Sequence, residues 1–379
     1  MAVVSSATYS IRGMHADDLG ATVNSGMRSN LRAAMYPWLA SRAAIGFGLA
    51  IVHIFREPFT RIGSRPKIVG LFGWDASFYR EIAQHGYRAE EQTDGLRFFP
   101  LYPLVARLLG GSDFALLAVS NLAALGALAL LHHLTLLWTS SAQAARRAVW
   151  IMALGPGVAA SMMGYAEPLF LVLAIGCCVA LHQQSLALAA LLGAGAALTR
   201  PVGALLVVVF VGDALQRRRP FTLLAAVGPM AGLFAYLAWT RDRTGDWLTP
   251  LRLQGNPNLR GDTVDPVRAV WASFRAVVVE LRVGPGLHLV WAAVAVVLCV
   301  VAWRKLPFAG AAFATVAVAT SLTTRNLDSL ERYLYAAFPL AIAASTLRLP
   351  KWVDRLAQVC APLAVASYAA LAFATKYVP

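Results

Sequence analysis

Residues 73–103 read Gly73-Trp74-Asp75-Ala76-Ser77-Phe78-Tyr79-Arg80, pass through Ile82-Ala83 and Gly86-Tyr87, and close on Arg97-Phe98-Phe99-Pro100-Leu101-Tyr102-Pro103. The stretch is polar and aromatic in a chain that is otherwise mostly apolar. One carboxylate, Asp75, stands at its head, between a bulky aromatic and small residues. Ala76–Gly86 reads as a helix with Phe78, Ile82 and His85 on one side. Pro100 and Pro103 frame a second short apolar piece, Leu104–Leu109. Both pieces are too short to cross a bilayer and suit helices lying at its surface.

The surrounding chain supplies the bilayer. Of 379 residues, 58% are hydrophobic and only 14% charged, against roughly 25% charged in soluble domains. Mean hydropathy is +0.60. Apolar runs recur from Tyr36 to the C-terminus without two-residue alternation, which indicates an all-α polytopic membrane protein and not a β-barrel. The net charge is +14. Lys and Arg at the ends of spans explain it as a topological signal. Nucleic acid is disfavoured as a partner, since no basic helix with interleaved aromatics lies outside the spans. The four cysteines, Cys177, Cys178, Cys299 and Cys360, fall in apolar runs without metal-ligand spacing.

Eleven apolar runs are expected as spans, at 36–55, 114–138, 149–163, 168–181, 186–198, 202–215, 221–239, 287–302, 307–322, 333–347 and 359–375. The third to sixth are short enough to be tilted, broken or re-entrant. Residues 1–35 read as a cytoplasmic tail, free of fixed structure at its start, with an interfacial helix near 28–32. Residues 36–379 form the membrane domain, with long extracytoplasmic loops at 56–111 and 241–285. A cytoplasmic N-terminus places Arg146-Arg147, Arg217–Arg219, Arg304-Lys305 and Arg348, Lys351 and Arg355 on the cytoplasmic side of the cell membrane. The same topology gathers Asp75, Tyr165, Glu167, Arg200, loop 241–285 and the segment Arg325–Arg332 on the outer face. Ionisable groups at a membrane edge are costly and mark candidate sites.

Each of these residues has a plain reading beside the chemical one. Asp75 precedes a helix, so it reads as an N-cap or as a general base for a hydroxyl. Glu167 precedes Pro168 and reads as a helix-initiating acid or as a site group. Tyr165 reads as an interfacial aromatic. Arg200, between Thr199 and Pro201, either snorkels to headgroups or binds an anion. Arg332 either pairs with Glu331 or Asp328, or grips a phosphate with its fork; Arg325 is a third choice. The histidines show no metal-ligand spacing, so no metal and no cofactor is assigned, although a divalent ion stays open. No Walker A, dinucleotide-binding or nucleophile-elbow motif is present. A soluble nucleotide donor is therefore disfavoured.

The run Trp74-Asp75-Ala76…Ile82-Ala83…Gly86-Tyr87…Phe98-Phe99-Pro100-Leu101-Tyr102-Pro103 resembles the PIG-V mannosyltransferases, membrane enzymes of the GT-C fold. Tyr165-Ala166-Glu167-Pro168-Leu169-Phe170, Thr199-Arg200-Pro201-Val202-Gly203 and Arg332-Tyr333…Pro339 are similar to further motifs of that family. Loop 241–285 matches no part of it. The resemblance implies transfer of mannose, with inversion, from a polyprenyl-phosphate mannose donor to a glycolipid acceptor at the extracytoplasmic face of the cell membrane. It implies Asp75 as the base and Arg200, Arg332 or Arg325 on the donor phosphate. It implies a sugar pocket of Trp74, Tyr79, Phe98, Phe99, Tyr102, Tyr165 and Glu167. Three alternatives remain: another sugar such as arabinose or glucose on the same fold, a protein acceptor, or a polytopic lipid or solute transporter. The last predicts mid-span charges and inverted repeats; no repeat is evident, and the polar residues gather at one face.

Overall fold

The apolar runs become helix throughout the computed structural model, which describes residues 16–55, 69–87, 93–255, 264–279, 283–324 and 327–374. In chain order the α-helices are α1 (Ala16–Ile54), α2 (Asp75–His85), α3 (Leu101–Leu108), α4 (Asp113–Thr139), α5 (Ala142–Ala153), α6 (Glu167–His182) and α7 (Leu186–Thr199). They continue as α8 (Val207–Arg217), α9 (Thr222–Ala225), α10 (Val227–Thr244), α11 (Thr249–Gln254), α12 (Pro266–Val278) and α13 (Val283–Lys305). The chain ends with α14 (Phe308–Ser321), α15 (Leu330–Ala336), α16 (Pro339–Ser345) and α17 (Lys351–Phe373). Among the described residues no β-strand occurs.

The eleven expected runs divide into three kinds. Five lie on helices long and apolar enough to cross a membrane: Gly26–Ile54, Asp113–Thr139, Thr222–Thr244, His288–Lys305 and Lys351–Phe373. Three more lie on the shorter apolar helices Glu167–His182, Leu186–Thr199 and Phe308–Ser321. The remaining three runs, 149–163, 202–215 and 333–347, are broken helices. The first ends α5 at Ala153 and continues as the 3-10 turn Pro156–Ser161; the second opens with the 3-10 turn Pro201–Leu206 before α8. The third splits into α15 and α16 at Pro339, whose ring removes a helical donor. One boundary differs from expectation. Helix α1 already starts at Ala16, because residues 16–35 contain no proline and the span propagates back into them.

Packing uses small residues to bring backbones together. On α10, a Cβ on Gly228 would lie 2.1 Å from the Ala190 oxygen of α7, and one on Gly232 would lie 2.3 Å from the Ala194 oxygen. Small residues four apart on both helices let them touch along their length, as membrane helices do without a hydrophobic drive between them. Helix α17 returns to pack on α1. Arg42 of α1 ties three elements at once: Nε donates to Asn121 Oδ1 of α4 at 3.0 Å, and Nη2 donates to the Ser161 carbonyl at 2.6 Å.

The two short pieces of the opening stretch form α2 and α3. Helix α2 buries Ala76, Tyr79, Ile82 and Ala83 on one side and stops at Gly86, whose φ of 81° favours glycine. Helix α3 buries Tyr102, Pro103 and Ala106. Edge contacts of Tyr79 with Phe98 at 5.0 Å and with Tyr102 at 5.1 Å lock the two pieces together, each worth about 0.5–1.5 kcal/mol beyond burial. The far end of α17 anchors the entry to α2: Val69 N–H donates to the Phe373 carbonyl at 2.9 Å and Trp74 Nε1–H to the Ala372 carbonyl at 3.1 Å. Asp75 therefore stands on a platform held by the last helix of the chain.

Candidate active site

Four local signals turn charged side chains toward one space. Trp74 adopts φ 57°, ψ −131°, a conformation rare for any residue but glycine, and so swings Asp75 into the first turn of α2. The capping position belongs to Trp74, which makes no side-chain cap bond. Asp75 is thus not the N-cap, and its carboxylate points elsewhere. Pro201 bars the helical conformation at the residue before it. Arg200 is accordingly extended, at φ −153° and ψ 145°, and ends α7. Glu167 opens α6 with Pro168 beside it in the first turn. Ser329 takes a left-handed φ of 60° and starts α15, which carries Arg332 and Tyr333.

These residues join in one buried network. Arg332 Nη1 donates to Asp75 Oδ2 at 2.6 Å, and its Nε lies 3.3 Å from Glu167 Oε1. Arg200 Nη1 pairs with the same Glu167 oxygen. The Glu167 side chain is 3% exposed, those of Arg332 and Arg200 6% and 10%, while that of Asp75 keeps 27% exposure. Rings close over the cations. Arg332 lies 5.2 Å from the Tyr165 and Tyr333 rings, and Arg200 lies 5.4 Å from Tyr333. Two carboxylates and two guanidinia thus balance at the floor of a cavity.

The cavity holds about 890 Å³ and is lined by Trp74, Asp75, Phe78, Tyr79, Asp94, Arg97, Phe98 and Phe99 on one side. The ends of α6 and α7, the helix α11 and the segment from Ser329 to Tyr333 complete it. Burial would push the Asp75 carboxyl up. The Arg332 guanidinium, with Arg97 and Arg200 behind it, outweighs burial and holds the group below the usual carboxylate range. Asp75 is ionised at neutral pH and can accept a proton or a hydroxyl hydrogen bond. Burial pushes the Tyr79 phenol up, which keeps it a neutral hydrogen-bond donor. Among the described residues no group of three or more histidine, cysteine or carboxylate side chains is placed to hold a metal ion.

Of the residues singled out in the sequence, Asp75, Arg200, Arg332, Trp74, Tyr79, Phe98, Phe99 and Glu167 line this cavity. Two do not. Tyr102 is fully buried behind it, donating to the Leu116 carbonyl at 3.0 Å and accepting from Ser120 Oγ at 3.0 Å. Tyr165 is fully buried as well and meets the site through Arg332. The resemblance implies that both face the sugar; helix packing turns both inward. Arg325 lies outside the described residues. The alternative pairing of Arg332 with Glu331 is replaced by the pairing with Asp75, because Glu331 accepts from buried His288 Nδ1 at 3.0 Å.

Arg97, Tyr333 and Arg252 also line the cavity, and the sequence reading gives none of them a role. Arg97 stands inside the opening motif, and only its position in the turn Thr93–Arg97 reveals its place in the cavity. Helix α11 of the second long loop packs over that turn, with Gln254 Nε2–H donating to the Arg97 carbonyl at 3.1 Å.

Comparison with protein-family models and with curated protein sequences yields no match. The matches among solved structures include two of one protein. One is ArnT from Cupriavidus metallidurans bound to undecaprenyl phosphate, at 14% identity and a TM-score of 0.49, covering 88% of this chain and 76% of that one. The other is the same protein in the apo state, at 16% identity and a TM-score of 0.49, covering 89% and 76%.

Proposed function

We propose that this chain is a membrane glycosyltransferase of the GT-C type, which moves mannose from a polyprenyl-phosphate donor to a glycolipid acceptor. One observation carries the proposal: an ionised carboxylate, Asp75, is held by Arg332 inside a polar cavity walled by arginines and aromatic rings, in a chain built of membrane-spanning helices. The Trp74–Pro103 resemblance to the PIG-V mannosyltransferases supports the choice of sugar.

The reaction is a single displacement. The acceptor hydroxyl attacks the anomeric carbon from the face opposite the lipid phosphate. The new C–O bond forms as the bond to phosphate breaks, the configuration inverts, and the proton passes to Asp75. Arg332 engages one carboxylate oxygen, Oδ2, which leaves the other for the acceptor. A positioned base contributes about 10²–10⁴ in rate. Fixed guanidinia stabilise charge on the departing phosphate, and the aromatic walls orient the sugar. Glu167 holds Arg200 and Arg332 in place. The cavity faces the extracytoplasmic side in this reading, and the N-terminus the cytoplasm.

The test is transfer of radiolabelled mannose from polyprenyl-phosphate mannose in membranes carrying the wild type or Asp75→Asn. Transfer by the wild type is expected to fall by about 10²-fold or more in Asp75→Asn. Full activity in the variant at equal abundance would remove the base from the scheme. Transfer of another lipid-phosphate sugar in place of mannose would reassign the donor.

A further inference from the structure

The arginines of the cavity are not equally available to a ligand. Arg332 engages Asp75, Glu167 and, through Nη2 at 3.3 Å, the Tyr333 hydroxyl. Arg200 pairs with Glu167. Arg252 pairs with Asp246 at 2.8 Å and its side chain is 69% exposed. Drawing Arg200 or Arg332 away would strip a counter-ion from a buried carboxylate, which is strongly unfavourable.

Arg97 differs. It makes no ion pair among the described residues, not even with Asp94 on the same turn, and its buried Nε, like that of the ion-paired Arg332, has no hydrogen-bond partner. The guanidinium is nonetheless fixed in place. It lies 5.0 Å from the Phe78 ring and 4.7 Å from the Phe98 ring, and those rings stack at 4.8 Å. Its backbone is pinned from two further helices. Tyr236 Oη–H donates to the Leu96 carbonyl at 2.7 Å, and Gln254 donates to Arg97's own carbonyl. A pre-oriented cation with an unsatisfied buried donor is built to receive an anion.

We propose that Arg97 is the residue that binds the phosphate of the lipid donor, while Arg332 and Arg200 hold Asp75 and Glu167. The assignment rests on the donor reading above and divides the labour of the cavity. Phosphate enters beside the Phe78–Phe98 wall, and the reacting carbon lies between it and Asp75.

The experiment measures binding of decaprenyl phosphate, with decaprenol as the uncharged control, to the full chain in lipid nanodiscs by native mass spectrometry. The wild type is expected to hold the phosphate in preference to the alcohol. Arg97→Gln is expected to weaken phosphate binding about 10- to 100-fold, the loss of a charge-assisted fork. Arg97→Lys, which keeps the charge and reads the same point should Arg97→Gln fold poorly, is expected to weaken it by about tenfold or less. Asp75→Asn should bind at least as tightly as the wild type, since it removes a nearby negative charge. Unchanged affinity in both Arg97 variants, with a wild type that binds, overturns the Arg97 assignment alone. A wild type that does not distinguish phosphate from alcohol overturns the donor reading and the assignment with it.

Discussion

Replacing Glu167 by Gln tests whether the four-charge network is a unit. Glu167 and Asp75 supply two negative charges, Arg200 and Arg332 two positive ones. The substitution keeps the shape and leaves a net charge of +1 around side chains that are at most 10% exposed, apart from Asp75. Removing one partner of a buried pair costs about 3–5 kcal/mol, because the remaining charge is uncompensated. Little solvent reaches these groups to screen it. At roughly 2 °C per kcal/mol for a large chain, the apparent Tm should fall by about 6–10 °C. Intrinsic-fluorescence melting in a single detergent reads it. Arg200→Gln alone should cost a similar amount, since it strands Glu167 beside a single arginine. The double variant retains the neutral Arg332–Asp75 pair, so its loss should be smaller than the sum of the two by about 0.5–3 kcal/mol. A Glu167→Gln protein melting within about 2 °C of the wild type, or two losses that simply add, would refute a shared network.

Other consequences follow from single contacts. The depressed Asp75 carboxyl contributes stability above the unfolded-state value near pH 4, and that contribution disappears as pH falls through the folded value; mannose transfer measured against pH should accordingly show no acid limb from Asp75 above about pH 5. At Trp74 the usual order of substitutions should reverse. The φ of 57° suits glycine, so Trp74→Gly should melt higher than Trp74→Ala, by the equivalent of about 1 kcal/mol, though both lose the bond to Ala372. An alanine Cβ at Gly157 would lie 2.6 Å from the Glu331 oxygen and 3.1 Å from Arg332 Cα. Gly157→Ala should therefore push α15 outward, cost about 1–3 kcal/mol and lower transfer activity measured beside the wild type.

The broken spans show where linear reading stops. Proline announces the extended Arg200 before Pro201 and the split before Pro339, because its ring acts on the adjacent residue. The bend after Ala153 carries a weaker signal, Gly155-Pro156, and its purpose lies elsewhere in the chain. The turn Pro156–Ser161 exists where α15 presses on Gly157. The same holds for the aromatics. Tyr79, Tyr102 and Tyr165 are chemically alike, yet only Tyr79 faces the cavity. Which side of a ring meets substrate depends on the helix packed behind it.

Hydropathy is a property of residues one at a time, so the sequence alone determined that this chain crosses a membrane, where its apolar runs lie, and that Asp75, Glu167, Arg200 and Arg332 stand between them at the membrane edge. Pairing is a property of positions 257 residues apart, as Asp75 and Arg332 are. Only the tertiary structure decided that these two form the ion pair, that Glu167 bridges both arginines, and that Arg97 meets no carboxylate among the described residues. Helix packing brings the starts of α6 and α15 and the end of α7 to one cavity, and there charge balance is settled by proximity, not by order along the chain.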